Sequence, residues 1–242
     1  MTQYAVITPN ADVRETPDTD VPKGKFETQL VSGEIFVVEL EKGNWCKGYC
    51  AHDKYPGWVE KRFLRPAFAT THVVTAARSQ VYKDATMKSA CLGTVSFGSR
   101  VQVMETGDGY ARLSSGTWIY AKHLSPVAAT DSDHLATAKK FIETPYYWGG
   151  RSGFGIDCSG LVQVCLGRAG VEAPRDTEQQ ITLGTSADRP RTGDLVFFKG
   201  HVGILADADN LLHANAFHMK VNIEPLWEVD VRAKGVTAIR RI

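Results

Sequence analysis

The stretch "GIDCSGLVQVCLGRAG", residues 155–170, contains two cysteines in different surroundings. Cys165 shares a predicted helix face with Leu161 and Leu166, which is typical of a small core residue. Cys158 lies where a glycine-rich loop, "PYYWGGRSGFGI", leads into the same helix. Unpaired backbone N–H groups and the helix dipole stabilise a thiolate at such a position. The sequence therefore predicts Cys158 as the candidate nucleophile and Cys165 as a buried packing residue.

A nucleophilic thiol needs a base, and the base needs a group that orients it. The segment "DLVFFKGHVGILAD" predicts two strands joined by a tight Lys-Gly turn, and His201 begins the second strand. His213 lies in "LLHAN", on the next predicted strand. Side chains on neighbouring strands stand about 5 Å apart at Cβ. One imidazole is therefore expected to accept the Cys158 proton while the other fixes its tautomer, with His218 as the alternative for the second role.

A further helix is predicted before the glycine-rich loop. Ser132 or Asp131 is the expected cap of a helix running through "HLATAKKFIET". Its expected apolar stripe consists of Leu135, Ala138, Phe141 and Ile142. Helices followed by consecutive antiparallel strands predict an α+β domain.

The first half of the chain contains a diverged repeat. The segment "GEIFVVELEKGNWCKG" from Gly33 resembles "GSRVQVMETGDGYARL" from Gly98, and "GWVEKRFL" from Gly57 resembles "TWIYAKHL" from Thr117. Short alternating strands with frequent turns, repeated over about sixty residues, predict two small β-barrels.

Composition excludes several classes of function. The formal net charge is +1, so nucleic acid is not an expected partner. No run approaches the roughly 18 apolar residues that cross a bilayer, and the first residues lack an export signal, so a cytoplasmic protein without a membrane partner is expected. The five cysteines argue against a disulfide framework. Cys46 and Cys50 are predicted to share one face of a β-strand. A zinc site is not expected there, because no second cysteine pair supplies the remaining ligands.

Five segments in order, "PYYWGGRSGFGIDCSGLVQ", "PRDTEQQ", "GDLVFF", "HVGI" and "LLHA", resemble the NlpC-type cysteine peptidases. These are papain-like enzymes that cut bacterial cell-wall peptides, and the resemblance covers roughly residues 130–242. The repeat resembles bacterial SH3-like domains, and the combination resembles the γ-D-glutamyl-L-diamino-acid endopeptidases. The resemblance implies an α+β papain-like catalytic domain at 129–242, preceded by two small SH3-like β-barrels at 1–67 and 68–128.

The resemblance also assigns roles by position. It makes Cys158 the nucleophile, His201 the base and His213 the third, orienting member. Tyr146 matches a tyrosine beside the nucleophile that is expected to hold the substrate or the oxyanion.

Four further positions match residues that bind the substrate in the family. Asp157 and Ser159 match positions that contact the dipeptide. Glu34 and Tyr55, in the first SH3-like segment, match a glutamate and a tyrosine that receive the free amine of the substrate. The second repeat has Ser99 where the first has Glu34, which suits a role for one barrel only.

The implied activity is hydrolysis of the γ-D-Glu–diamino acid bond in cell-wall peptides with a free N-terminal L-Ala. It implies no metal or organic cofactor. Three alternatives remain at this stage. One is a secreted hydrolase of intact peptidoglycan with wall-binding SH3-like domains, and another is a non-catalytic protein that binds cell-wall peptides. The third is an acyltransferase or amidase built on the same scaffold.

Overall fold

The computed structural model describes residues 2–18 and 26–242. These fall into two compact units, one made of residues up to 129 together with 152–154, and the other of residues 130–151 and 155–242. Residue 1 and residues 19–25 of the predicted first domain lie outside the described residues. The domain boundaries at residues 67 and 128 remain predictions.

The first part of the N-terminal unit is a seven-stranded sheet with the strand order β3-β2-β6-β5-β4-β1-β7. Its strands are β1 (Thr2–Val6), β2 (Asn10–Arg14), β3 (Phe26–Val31), β4 (Ile35–Lys42), β5 (Trp45–Cys50), β6 (Pro56–Glu60) and β7 (Leu64–Pro66). Cys46 and Cys50 lie four residues apart on β5 and are both buried in the same apolar cluster. The prediction that they share one strand face is confirmed, since alternate strand residues point to opposite sides.

The second part of this unit contains a five-stranded sheet, order β10-β9-β14-β13-β12, and a three-stranded sheet, order β11-β8-β15. The strands are β8 (His72–Val74), β9 (Arg78–Tyr82), β10 (Cys91–Ser96), β11 (Arg100–Val101), β12 (Val103–Gly107), β13 (Tyr110–Leu113), β14 (Trp118–Tyr120) and β15 (Leu124–Pro126). Val74, Ala111 and Ile119 form the centre of its small apolar core.

The landmarks of the sequence repeat adopt the same conformation in both copies. Gly33 and Gly98 both have positive φ, at 79° and 83°, a backbone conformation that favours glycine. Each copy also has a single 3₁₀ turn after its penultimate strand, at Lys61–Phe63 and Ala121–His123. The repeat in sequence is therefore a repeat of local structure.

The C-terminal unit combines helices with a six-stranded sheet of order β18-β23-β19-β20-β21-β22. Its elements in chain order are α1 (His134–Lys139), β16 (Arg151–Ser152), β17 (Gly155–Ile156), α2 (Cys158–Arg168), α3 (Thr177–Gln180), β18 (Thr185–Ser186), β19 (Leu195–Phe198), β20 (His201–Leu205), β21 (Asn210–Asn215), β22 (Lys220–Pro225), α4 (Leu226–Ala233) and β23 (Ala238–Arg241). Helix α2 packs against β20 and β21, the fourth and fifth strands in this order.

Helix α1 differs from its prediction at both ends. Its cap is Asp133, whose carboxylate accepts a hydrogen bond from the Ala136 N–H at 2.8 Å, in place of Ser132 or Asp131. The helix ends at Lys139, because the N–H groups of Lys140 and Phe141 bond to carbonyl oxygens three residues back, at 3.1 and 3.0 Å, and the helical pattern is not continued. Leu135 and Ala138 are buried within the helix, Phe141 is buried just beyond its end, and Ile142 is exposed.

Among residues 2–18 and 26–242, no helix is both long enough and apolar enough to cross a membrane.

Candidate active site

Asp157 starts helix α2 and places Cys158 in its first turn. The Asp157 backbone is extended, and its carboxylate accepts hydrogen bonds from the N–H of Gly160 at 2.7 Å and from that of Gly149 at 2.7 Å. A carboxylate before the first helical residue satisfies N–H groups that have no partner within the helix. The same side chain thus fixes the helix start and the glycine-rich loop, and α2 begins at Cys158 as the sequence predicts.

The two glycines of this junction are required by a close approach of backbone. A Cβ atom on Gly160 would stand 2.3 Å from the carbonyl oxygen of Gly150, and one on Gly150 would stand 2.5 Å from that of Gly155. Both distances are far below van der Waals contact. The loop can therefore fold back onto the first turn of α2 only with glycine at these positions.

The Cys158 thiol is buried between the helix and strand β20. The backbone N–H groups of Val202 and Ser159 hydrogen-bond its sulfur and lower the thiol pKa. Burial, followed by the charge of Asp157, outweighs them and raises the pKa of Cys158 to about 11. The resting nucleophile is therefore a thiol, and it lies against the residue that follows His201.

The two predicted histidines meet on neighbouring strands. His201 Nε2 and His213 Nδ1 are 2.7 Å apart, and the ring centroids are 5.0 Å apart at an interplanar angle of 66°. His213 is 1% exposed, whereas His201 is partly exposed at the start of β20. The structure therefore brings Cys158, His201 and His213 to one place. Their catalytic roles remain predictions.

Both imidazoles are held in their neutral forms. Burial, together with His213 and Arg232, lowers the pKa of His201 to about 3. Burial also lowers the pKa of His213 to about 4, although the hydrogen bond to Glu224 acts in the opposite direction. A neutral imidazole and a neutral thiol are suited to proton transfer during attack rather than to a resting ion pair.

Glu224 lies behind His213, on β22. Its Oε1 is 2.7 Å from His213 Nε2, and Arg232 Nη2 donates to the same oxygen at 2.5 Å. Its Oε2 is 3.3 Å from His218 Nε2. His218 is thus a partner of Glu224, and the nitrogen that faces His201 belongs to His213.

Tyr146 lies in an extended segment between strands of the C-terminal unit. Its N–H donates to the Met219 carbonyl at 2.9 Å, and it forms an isolated parallel bridge with Ile156. Burial, followed by the nearby charges of Cys158 and Asp157, raises the pKa of Tyr146. Its hydroxyl therefore stays protonated.

The side chains of Asp157 and Ser159 meet a buried arginine. Arg175 donates to Asp157 Oδ2 at 2.6 Å and to Ser159 Oγ at 2.7 Å. All three residues are less than a tenth exposed. Their contact with a dipeptide, predicted for Asp157 and Ser159, remains a prediction.

Glu34 and Tyr55 belong to the N-terminal unit. Glu34 Oε2 accepts a hydrogen bond from the Val31 N–H at 2.9 Å, and its Oε1 is 4.0 Å from His52 Nδ1. The Glu34 side chain is 13% exposed. Tyr55 packs against the first apolar core, and its N–H donates to Asp53 Oδ1 at 2.9 Å. Glu34 is therefore a largely buried carboxylate held in place by its own backbone turn.

Comparison with known proteins identifies both halves of the chain. Residues 143–240 match the NlpC/P60 family, and residues 17–64 match the bacterial dipeptidyl-peptidase SH3 domain. Residues 143–240 form an NlpC/P60 domain, the catalytic domain of a cysteine peptidase. A crystal structure of an NlpC/P60 family protein from Bacillus cereus ATCC 10987 superposes with a TM-score of 0.84 at 23% identity, over 99% of each chain, and shares the papain-like fold with an SH3 domain.

Curated relatives of this NlpC/P60 peptidase match most of the chain. A γ-D-glutamyl-L-lysine dipeptidyl-peptidase of Bacillus cereus is 29% identical over 84% of this chain and 71% of its own. A protein of the same description from Bacillus subtilis is 29% identical over 89% of this chain and 81% of its own.

Three polar residues of this NlpC/P60 site were not predicted from the sequence, namely Arg175, Glu224 and Arg232. Arg175 follows a proline in "PRDTEQQ", a segment that carries the family resemblance but no assigned role. In "KVNIEP" the apolar alternation assigns the buried face to Val221 and Ile223, yet Ile223 is 39% exposed and Glu224 is buried. Only the pairing with β21, which sets Leu211 opposite Glu224, reveals that Glu224 lies on the His213 side.

Within the part of the chain that the structure describes, no group of three or more His, Cys, Asp or Glu side chains is arranged to hold a metal ion. The ionisable groups described at this site are a thiol, two imidazoles, a phenol, two carboxylates and two guanidinium groups.

Proposed function

We propose that this peptidase is a γ-D-glutamyl-L-diamino-acid dipeptidyl-peptidase, which releases L-Ala-D-Glu from cell-wall peptides with a free N-terminal L-Ala. The single observation that carries the proposal is that the Cys158 sulfur is hydrogen-bonded by the N–H of Val202, the residue after His201, whose ring contacts that of His213. The description of the two relatives that match most of the chain supports the choice of bond.

The first half of the proposed reaction forms a thioester. The Cys158 proton passes to the imidazole of His201 as the sulfur bonds to the γ-carbonyl carbon of D-Glu. The tetrahedral intermediate then collapses, the C–N bond breaks, and His201 gives its proton to the leaving amine of the diamino acid. The lowered pKa of His201 favours this second transfer, because an imidazolium there is a strong acid.

The second half regenerates the thiol. His201 takes a proton from water as the water oxygen attacks the thioester carbonyl. The C–S bond breaks, L-Ala-D-Glu leaves as a carboxylic acid, and the proton returns to the Cys158 sulfur. Protons and bonds balance over the two halves, and no other reactant is consumed besides water.

The oxyanion of each tetrahedral intermediate needs hydrogen-bond donors. We assign this role to the backbone N–H of Cys158 and to the Tyr146 hydroxyl, whose raised pKa keeps its proton in place. Removing one such donor typically costs about 3–4 kcal/mol of transition-state stabilisation.

Selectivity for a free amine is assigned to Glu34 and Tyr55. A largely buried carboxylate pairs well with an ammonium, whereas a substrate with a blocked amine offers that carboxylate no positive charge. In the same proposal, residues 68–128 form a second SH3-like domain, and the enzyme works in the cytoplasm on free peptides during recycling or uptake of wall fragments. The peptide is its partner, without metal, cofactor, nucleic acid or membrane.

The test compares two substrates by mass spectrometry of the products. One is the free tripeptide L-Ala-γ-D-Glu-L-Lys, and the other is the same peptide attached to N-acetylmuramic acid. Release of L-Ala-D-Glu and lysine from the free peptide, much faster than from the attached one, supports the proposal. Faster cutting of the attached form would favour a hydrolase of intact wall. Turnover of neither would favour a binding protein.

A further inference from the structure

The His201–His213 pair continues into a third ionisable group. His213 Nε2 is 2.7 Å from Glu224 Oε1, and His213 Nδ1 is 2.7 Å from His201 Nε2. His213 and Glu224 are buried, so each nitrogen of the His213 ring must donate to, or accept from, a protein neighbour.

Glu224 is a charged acceptor, which decides the position of the first proton. Burial alone would raise the pKa of Glu224, but hydrogen bonds from Arg232 and His213 outweigh it and the net shift is downward. An ionised carboxylate has no proton to donate, so His213 Nε2 carries the hydrogen of this short bond.

A second neighbour of the same nitrogen does not reverse this arrangement. The Asn215 amide nitrogen is 3.1 Å from His213 Nε2, and it donates to Asn222 Oδ1 at 2.6 Å. Asn215 Oδ1 accepts a hydrogen bond from the His218 backbone N–H at 2.8 Å, which fixes the orientation of the Asn215 side-chain amide. The charged contact at 2.7 Å therefore outweighs the longer amide contact.

The remaining protons follow from the first one. Neutral His213 with its hydrogen on Nε2 has its lone pair on Nδ1, so the neighbouring His201 Nε2 must donate to it. Neutral His201 then has its lone pair on Nδ1. One carboxylate thus sets the tautomers of both rings in sequence.

We propose that Glu224 is a positioning residue that fixes the tautomers of His213 and His201, so that His201 Nδ1 is the atom that accepts the Cys158 proton. When His201 becomes an imidazolium, the Glu224 charge stabilises it through His213. The catalytic triad predicted from the sequence is accordingly a relay of four residues. This inference rests on the proposed roles of Cys158 and His201.

The direct test is independent of any substrate. Protein labelled with ¹⁵N-histidine is examined by long-range ¹H–¹⁵N correlation at pH 7, with His201→Ala and His213→Gln used for assignment. Both rings are expected as neutral tautomers with the hydrogen on Nε2. A hydrogen on Nδ1 of either ring would overturn the proposal, even if the protein failed to cut the tripeptide.

Variants supply the kinetic test on the free tripeptide. Glu224→Gln is expected to lower kcat at least about tenfold with little change in KM, and Glu224→Asp to recover part of the loss. The matched control is Glu228→Gln on α4, an exposed residue that loses the same charge and should stay within about twofold of wild type. Thermal unfolding shows whether each variant is folded. A folded Glu224→Gln variant with wild-type kcat would refute the role, whereas an inactive wild type would refute the proposed function instead.

Discussion

The guanidinium of Arg175 lies 2.6 Å from a carboxylate oxygen of Asp157, the residue that immediately precedes Cys158. The same guanidinium reaches Ser159, the residue that immediately follows. Arg175 therefore holds both chain neighbours of the nucleophile with one planar, buried group. Since Asp157 also starts α2 and holds the glycine-rich loop, this ion pair supports the backbone on which Cys158 sits.

Replacing Arg175 by methionine is expected to destabilise the protein strongly, because Asp157 would remain as a buried charge without its cation. Breaking a buried pair from one side typically costs about 3–5 kcal/mol. The two backbone N–H groups that still reach Asp157 place the expected loss near the lower end of that range. Urea denaturation measures it. Lys220→Met, which breaks the exposed pair with Glu143, should cost less than about 1 kcal/mol. Equal losses would contradict the argument.

The two cysteines of α2 should separate by reactivity and by function. Iodoacetamide at pH 7 is expected to modify Cys158 far faster than Cys165. Burial raises the pKa of both thiols, but the N–H groups of Val202 and Ser159 offset part of this effect at Cys158. Peptide mapping after timed alkylation measures both rates. Cys158→Ala should abolish hydrolysis, while Cys165→Ala should keep it. Faster alkylation of Cys165 than of Cys158 would show that the nucleophile is wrongly assigned.

The histidines should rank by their place in the relay. His201→Ala should abolish turnover. His213→Gln should retain some, because glutamine keeps a hydrogen-bonding group next to His201. His218→Ala should be mild, because the His218 side chain reaches Glu224 and is about a third exposed. Steady-state kinetics on the free tripeptide ranks them, and a His218 variant worse than the His213 variant would reverse the assignment.

Hydrolysis should persist well below the ordinary histidine range of pH. The base must be neutral to accept a proton. Because the pKa of His201 is lowered to about 3, the His201 ring should become protonated, and activity should be lost, only as the pH approaches that value. An unshifted histidine with a pKa of about 6.5 would be only about one tenth neutral at pH 5.5. We expect kcat/KM at pH 5.5 to exceed half its value at pH 7. An acid limb centred near pH 6.5 would contradict the shift.

Glu34→Gln should lower kcat/KM for the free tripeptide, because the variant loses the negative charge proposed to pair with the substrate ammonium. It should also reduce the ratio of kcat/KM for the free tripeptide to kcat/KM for the N-acetylated peptide. Glu39→Gln, an exposed residue on β4, is the control with the same change of charge. Competition between the two peptides in one reaction gives the ratio directly. An unchanged ratio in Glu34→Gln would remove Glu34 from the amine site.

Much of this arrangement follows from local sequence. The start of α2, the β19–β20 hairpin and the shared face of Cys46 and Cys50 all obey short-range rules of capping, turns and alternation, and the structure agrees with each. These rules operate within a few residues of chain. For that reason a single sequence contains enough information to state them.

Two other features depend on interactions that short-range rules do not contain. The observed cap of α1, Asp133, lies one or two residues after the predicted Ser132 or Asp131, because all three side chains can accept the capping hydrogen bond. Glu224 was missed for a deeper reason, since its burial depends on the register of β22 against β21. Alternation in sequence favours Ile223 for the interior, and tertiary pairing overrides that preference.

The two-residue connection between β19 and β20 fixes the distance along the chain from Phe198 to His201, which face each other across the ladder. Gly200 in this connection has a φ of 69°. Inserting one residue before His201 would shift β20 by one position and turn the imidazole to the opposite side of the sheet. Surface hairpins usually tolerate insertions, but this one should tolerate almost none. A scan of single-residue insertions should therefore find the largest loss of activity in the two-residue connection between Phe198 and His201.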